Sequence, residues 1–287
     1  DALISLYDTV VVDRQLVGAR SPSAVFLRGI DRAAGALADC ILVDTDQNRA
    51  YWADRLGLPE RKLHVVHVGA EDLFCRPTAR ESAGGGGMAR REVLFYGKYI
   101  PLHGVEVIVR AAHMFETQSE RRRRPGITWK LLGRGQQRPT AERLAQELDV
   151  RSLRFVDWVD YEAVPIHIQQ AAVGLGIFGR TEKAQRVVPN KAYQILAGGR
   201  PLITASTPAS RSLLCRDGIS GAYLVPPGSP EALARGVAEL TESPERSRAL
   251  GDAGFDLYRR FYTSSKIGRR VIGAMEALIK TGGGEAT

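Results

Sequence analysis

Residues 173–205 read VGLGIFGRTEKAQRVVPNKAYQILAGGRPLITA, and this stretch decides the fold. An apolar run, Val173 to Phe178, reads as a buried strand. A polar loop follows from Gly179 to Arg186. Pro189 then stands near the start of a helical segment, where N–H groups have no partner inside the helix and proline is tolerated. Gly198 and Gly199 end that helix, and the residues LITA after Arg200 and Pro201 give a short strand. A loop between strand and helix, at the carboxyl end of a parallel sheet, is where phosphate or another anion is held. Lys191 adds a cation just inside the helix. An ordinary unit with a solvated polar loop fits the same residues equally well.

Outward from this unit the pattern repeats. VLFYG (93–97), ITWKLLG (127–133) and LRFVDWV (153–159) read as strands. Helices are expected at Gly104 to Thr117, Thr140 to Leu148 and Tyr161 to Gln170, with the arginine run 121–124 in a turn. Beyond residue 205 come a strand at Gly221 to Val225 and a Pro226-Pro227-Gly228 turn. Helices follow at Pro230 to Leu240, Pro244 to Phe261 and Ser265 to Leu278.

Upstream, CILVDT (40–45), a helix at Asp46 to Leu56 and a strand at Lys62 to Val68 form a further βαβ unit. Thr45 or Asp46 caps that helix and Gly57 stops it. Gly29 to Ala38 is a short helix candidate, and ALISLY and TVVV around Asp8 read as strands. The chain is thus α/β, with mostly parallel sheets covered on both faces by helices. Four parts are expected: a partial N-terminal domain over 1–83, a glycine-rich link over 84–91, a C-terminal domain over 92–262, and a closing helix with a frayed tail over 263–287.

Composition narrows the function without choosing it. The formal net charge of +8 over 287 residues favours anionic partners. Cys40, Cys75 and Cys215 are far apart with no CxxC spacing, so a reducing, cytoplasmic compartment fits better than a disulfide framework. No apolar run approaches the length that spans a bilayer. No finger, RNP-like segment or recognition helix points to nucleic acid, and no histidine or cysteine cluster points to a metal. His64 and His67 are expected on opposite faces of one strand. Asp8, Asp13, Asp44 and Asp46 lie near strand ends, any of which could face a cleft. The arginine run reads more simply as a solvated loop than as a polyanion contact.

Three glycine-bearing loops follow strands of the C-terminal half: GKYIPLHG (97–104), GRGQ (133–136) and the loop from Gly179. None is a dinucleotide fingerprint or a Walker loop. Their shared position predicts convergence at one sheet edge, because βα loops of a parallel sheet meet there.

The pieces ADCILVDTDQN, KLHVVHVGAEDLF, VLFYGKYIPLHG, LLGRGQ, FVDWVDYEAVP, VPNKAYQILAGGRPLITA, GAYLVPPGSPEALA and RFYTSSKIG occur in that order. Together they resemble the large retaining glycosyltransferase family of GT-B fold that includes capsule, exopolysaccharide and mannosyl transferases. The resemblance implies two Rossmann-like domains about a cleft. The C-terminal one would hold a nucleotide-sugar donor, and the N-terminal one most of a glycan or lipid-linked acceptor. It also implies an N-terminal domain lacking roughly the first hundred residues.

On this resemblance Lys98, His103 and Lys191 would neutralise the donor diphosphate, and Gly97, Gly133, Arg134, Gly179, Glu182, Asn190 and Gln194 would contact the donor. Four positions depart from the family pattern, which has an arginine where Lys98 stands, a lysine where His103 stands, and glutamates where Arg186 and Gln194 stand. Glu182 would replace the first of these glutamates in a shifted register, and Gln194 would bond a ribose hydroxyl without bringing charge. No cofactor or metal is implied, since the nucleotide-sugar is the donor substrate. Retention of configuration follows from the resemblance, as does peripheral contact with the inner face of an anionic membrane. Two alternatives share the architecture: a sugar-nucleotide 2-epimerase and a non-catalytic nucleotide-sugar-binding protein.

Overall fold

The structure is a computed structural model that describes residues 5–76, 91–122 and 126–282. From the N-terminus a π-helical stretch, Asp8–Asp13, leads to α1 (Pro22–Leu37), β1 (Ile41–Val43), α2 (Asp46–Leu56) and β2 (Leu63–Val65). The C-terminal unit runs β3 (Glu92–Tyr96), α3 (Val105–Arg122), β4 (Thr128–Leu132), α4 (Arg138–Glu147), β5 (Leu153–Val156), α5 (Val164–Gln170) and β6 (Val173–Leu175). It continues through α6 (Glu182–Arg186), α7 (Asn190–Ala197), β7 (Leu202–Ala205), α8 (Pro208–Leu214), β8 (Cys215–Arg216), β9 (Ile219–Ser220) and β10 (Tyr223–Val225). Helices α9 (Pro230–Glu242), α10 (Pro244–Phe261) and α11 (Ser264–Gly282) complete it.

Six strands of the C-terminal unit form a parallel sheet in the order β10-β7-β6-β3-β4-β5. Alternate residues of β3 enter different cores. Val93 and Phe95 pack with Trp129, Leu131 and α3 residues Ile108 and Ala112. Leu94 and Tyr96 pack with α7 residues Tyr193 and Ile195 and with Leu257 of α10. Burial on both faces is why residues 93–96 and Leu202–Ala205 read as nearly continuous apolar runs, whereas β4 and β5 nearer the edge carry Lys130 and Arg154. Chain order reverses between β3 and β6, so the loops leaving those two strands border a crevice at the carboxyl edge.

The N-terminal unit pairs β1 with β2 in parallel, and Ile41, Val43, Trp52, Leu56, Leu58 and Leu63 form its core. Thr45 caps α2 by accepting from Asn48 N–H at 3.0 Å, and Gly57 ends it in the left-handed region at φ 69°. The chain returns to this unit after α10, where Ala70 bridges to Thr263.

Several expectations change. TVVV is helical, not a strand: Asp8–Asp13 is a π-helix with Val11 buried, so tertiary packing overrides the β preference of its valines. The short helix expected from Gly29 begins earlier, at Pro22, behind a Ser21 cap. Glu182–Arg186, read as loop, is a short helix because Thr181 accepts from Ala184 N–H. Pro165 and its neighbours divide the helix expected from Tyr161 into a 3-10 turn and α5. Helix α8 and the β8–β9 hairpin arise where no element was expected. Arg121 and Arg122 prolong α3 instead of turning the chain. The glycine-rich link 84–91 and the tail 283–287 lie outside the described residues.

Candidate active site

The three glycine-bearing loops meet, and backbone contacts hold them together. Tyr99 N–H donates to Arg134 O at 3.0 Å and Gln137 N–H to Tyr99 O at 2.9 Å. Phe178 N–H donates to His103 O at 3.0 Å and Gly179 N–H to Leu102 O at 3.1 Å. Glycine is required at the tightest approach. A Cβ on Gly133 would stand 2.1 Å from Gly97 O, and Gly133 has φ +122°.

Lys191, Gly97 and His103 converge on one point. A Cβ on Gly97 would lie 3.2 Å from Lys191 Nζ and 3.4 Å from His103 Cε1. Lys191 enters from the first turn of α7, buried, with Nζ 3.8 Å from the centroid of the Phe95 ring. Among the described residues Nζ has no hydrogen-bond partner. Burial holds this amine well below the usual lysine range. His103 is buried too, first by its surroundings and then by the nearby Lys191 driven well below the usual imidazole range. Its Nδ1–H donates to Lys98 O, which fixes the neutral tautomer and leaves Nε2 with the lone pair. Without an anion, then, neither group is the ready cation that the sequence implies. An anion between them would favour protonating both.

The remaining expected residues divide. Lys98 follows Gly97 in the chain, and its side chain is exposed. Gly179 lies against Leu102 and Pro101 of the first loop. Asn190, also exposed, is the first residue of α7, whose preceding Pro189 offers no side-chain cap. The Arg134 side chain is turned to Asp157, 2.5 Å away, and only its backbone joins the loops.

Gln194 is buried and engaged at both ends of its amide. Its Oε1 accepts from Tyr96 OH at 2.8 Å and its Nε2 donates to Tyr161 OH at 3.0 Å. Tyr161 in turn donates to Glu71 at 2.7 Å. Exposed Glu182 lines a cavity of about 290 Å³ with Gln47, Tyr51, Arg55 and Arg186, on the α2 side.

Arg186 has a different role. Its guanidinium donates to Asp8 Oδ1 at 2.5 Å and to Asn48 Oδ1 at 2.9 Å, and it lies 3.8 Å over the Tyr51 ring. Asp8 and Arg186 are 178 residues apart in sequence, and no local signal joins them. Asp13 and Asp44 are buried with their carboxyls raised by desolvation, whereas Asp46 only begins α2. His67 lies beyond β2, bonded through Nδ1 to Asp44 O at 3.0 Å, so it does not share a strand with His64.

A family model described as glycosyl transferases group 1 matches residues 90–243. WcaI of Escherichia coli (strain K12), whose name assigns it to colanic acid biosynthesis glycosyl transfer, is 26% identical over 159 residues. That match covers 55% of this chain and 37% of WcaI. Sucrose-phosphate synthase from Thermosynechococcus elongatus superposes with a TM-score of 0.71 at 20% identity, covering 91% of this chain and 64% of the synthase. Anabaena Alr3699/HepE in complex with UDP-glucose gives 0.71 at 14% identity, covering 90% of this chain and 70% of that one. These likenesses show the GT-B fold: two α/β units with parallel sheets. The chain spans about a third of WcaI and under two thirds of the synthase.

Proposed function

The chain belongs to the glycosyl transferases group 1, and from that premise we propose that it moves a sugar from a nucleotide-sugar donor to a glycan or lipid-linked acceptor, with retention of configuration. One observation carries the reading: a buried lysine amine without a hydrogen-bond partner among the described residues, beside a buried imidazole, where glycine loops meet at the switch point of a parallel sheet.

A diphosphate seated there meets Lys191 and His103 in a low-dielectric site. As the bond between the sugar carbon and the phosphate oxygen breaks, negative charge grows on that oxygen. Protonated Lys191 and His103 stabilise the leaving group, and Lys98 adds charge from the rim. Gly97, Gly133 and Gly179 let the backbone approach the ligand, with Asn190 at the helix start. Anabaena Alr3699/HepE, of the same fold, was solved with UDP-glucose, which supports a donor of this class.

The lipid-linked acceptor would bring the protein to the cytoplasmic face of a membrane. In support, α11 exposes Ile272, Met275 and Ile279 near Lys266, Arg269 and Arg270. This is a basic amphipathic helix that suits an anionic lipid surface. No helix among the described residues is long and apolar enough to cross a membrane. Sedimentation with vesicles of neutral and of mixed anionic lipid tests the contact; equal recovery from both would remove it.

Incubation with a panel of nucleotide-sugars, with and without a glycan or polyprenyl-phosphate acceptor, tests the reaction. Acceptor-dependent release of nucleoside diphosphate, lost in Lys191→Ala, is the expected result. Isomerised donor without acceptor would identify an epimerase. Binding without turnover would identify a donor-binding protein, the reading that Arg186 favours by occupying an acidic position of the family pattern.

A further inference from the structure

The segment from Ser5 to Arg14 lies across all three glycine-bearing loops. Arg14 O accepts from Gln136 Nε2 at 3.2 Å, in the loop after β4. Asp13 Oδ1 accepts from Thr181 Oγ1 at 3.3 Å, at the end of the loop after β6. The backbone of Leu102, in the loop after β3, lies near enough to Asp13 to favour its carboxylate form. Thr9 accepts from Lys183 Nζ at 2.8 Å.

Asp8 is the charged centre of this strap. Its carboxylate takes Arg186 at 2.5 Å and Lys183 at 3.6 Å, with all three side chains largely buried. Behind it the strap is tied to α1, because Asp31 accepts from Ser5 Oγ at 2.6 Å and from the N–H groups of Leu6 and Tyr7 at 3.0 Å. Arg186 is held from α2 as well, through Asn48 Oδ1, the Tyr51 ring and a 2.6 Å bond from Thr45 Oγ1 to Arg186 O. Thus α6, which follows the Gly179 loop directly, is gripped from two places in the N-terminal unit, the strap and α2 with its cap. Buried charges of this kind tolerate one arrangement, since moving either partner leaves the other uncompensated.

We propose that Asp8 is a positioning residue for the donor loop: through Arg186 and Lys183 it couples the seating of the N-terminal unit on α6 to the shape of the loop Gly179–Thr181. The inference rests on the reading of that loop as part of a donor-diphosphate site. It assigns Arg186 a structural reason for being basic. The cation completes a joint with Asp8 and does not contact the sugar.

A double-mutant cycle tests it. Affinities for UDP, GDP and ADP are measured by calorimetry for the wild-type chain, Asp8→Asn, Arg186→Gln and the double variant. Each single change is expected to weaken the tightest of these ligands about tenfold, and the double variant no further than the weaker single. Additive losses, or no loss, would overturn the coupling. Should a variant fail to fold, amide exchange of the wild-type chain decides: on nucleotide binding, residues 6–14 and 179–186 are expected to gain protection together. Protection of 179–186 alone would overturn it. Absence of any nucleotide binding by the wild-type chain is a different failure, that of the donor-site reading itself.

Discussion

Lys191 Nζ stands 3.8 Å over the ring of Phe95, buried and without a hydrogen-bond partner among the described residues. The ring's face offers partial compensation for a cation, less than water would. The free chain therefore holds this amine against its solvation preference. Lys191→Met, similar in length, is expected to stabilise the ligand-free chain at pH 7 by about 1–4 kcal/mol. The sign follows from the depressed amine. Between its low folded value and its ordinary value near 10.4, the unfolded chain binds the extra proton, so wild-type stability rises with pH. The gap between variant and wild type should shrink as pH approaches 10. Urea unfolding of both at pH 7 and pH 10 checks this, and a destabilised variant at pH 7 would contradict it.

Nucleoside diphosphate binding should take up protons. Lys191 and His103 are both held low without a ligand, and a diphosphate beside them raises both. Between the free and bound values, affinity falls as pH rises. Calorimetry across about pH 6 to 9, in buffers of low and high ionisation enthalpy, should give different observed heats. Identical heats in both buffers would mean that neither group changes protonation.

Gly133→Ala should damage two loops at once. The added Cβ meets the Gly97 carbonyl oxygen at 2.1 Å in a left-handed backbone, and neither backbone can yield cheaply. A loss above ~2 kcal/mol is expected, together with weakened nucleotide binding. Gly126→Ala is the control: no described residue lies within 4 Å of its Cβ, and thermal unfolding should barely change.

How far the sequence disclosed this arrangement depends on the range of the contacts. The sheet was legible because its central strands are buried on both faces, so residues 93–96 and Leu202–Ala205 stand out as apolar runs. The loops were legible because their glycines have local backbone reasons, as Gly133 and Gly104 show. Contacts across the fold were not. Asp8 and Arg186 meet 178 residues apart in sequence, and no local pattern records it. Gln194 read as a ligand contact because it stands in the helix beside the loop. Its partners Tyr96 and Tyr161 come from elsewhere in the chain and turn the amide inward. The valines beside Asp8 carried a β preference that their packing overrode.

The Gln194 amide uses both ends, so exchanging it for an acid has a defined cost. In Gln194→Glu the donor to Tyr161 is lost and a carboxyl is buried beside Tyr96. A loss of about 1–3 kcal/mol is expected at neutral pH. Burial raises the new carboxyl, so the folded chain binds the extra proton and stability falls as pH rises above the ordinary glutamate value. Urea unfolding at pH 5 and pH 8 should show the larger penalty at pH 8. A larger penalty at pH 5 would mean that the carboxylate has found a donor.

Calorimetric titration of the wild-type chain and of Lys191→Met with UDP, GDP and ADP tests the donor site most directly. The wild-type chain should bind at least one of them, and Lys191→Met should bind that ligand at least tenfold more weakly while remaining folded. Equal affinity in the two proteins, or no binding of any of the three by the folded wild-type chain, would contradict a diphosphate site at Lys191.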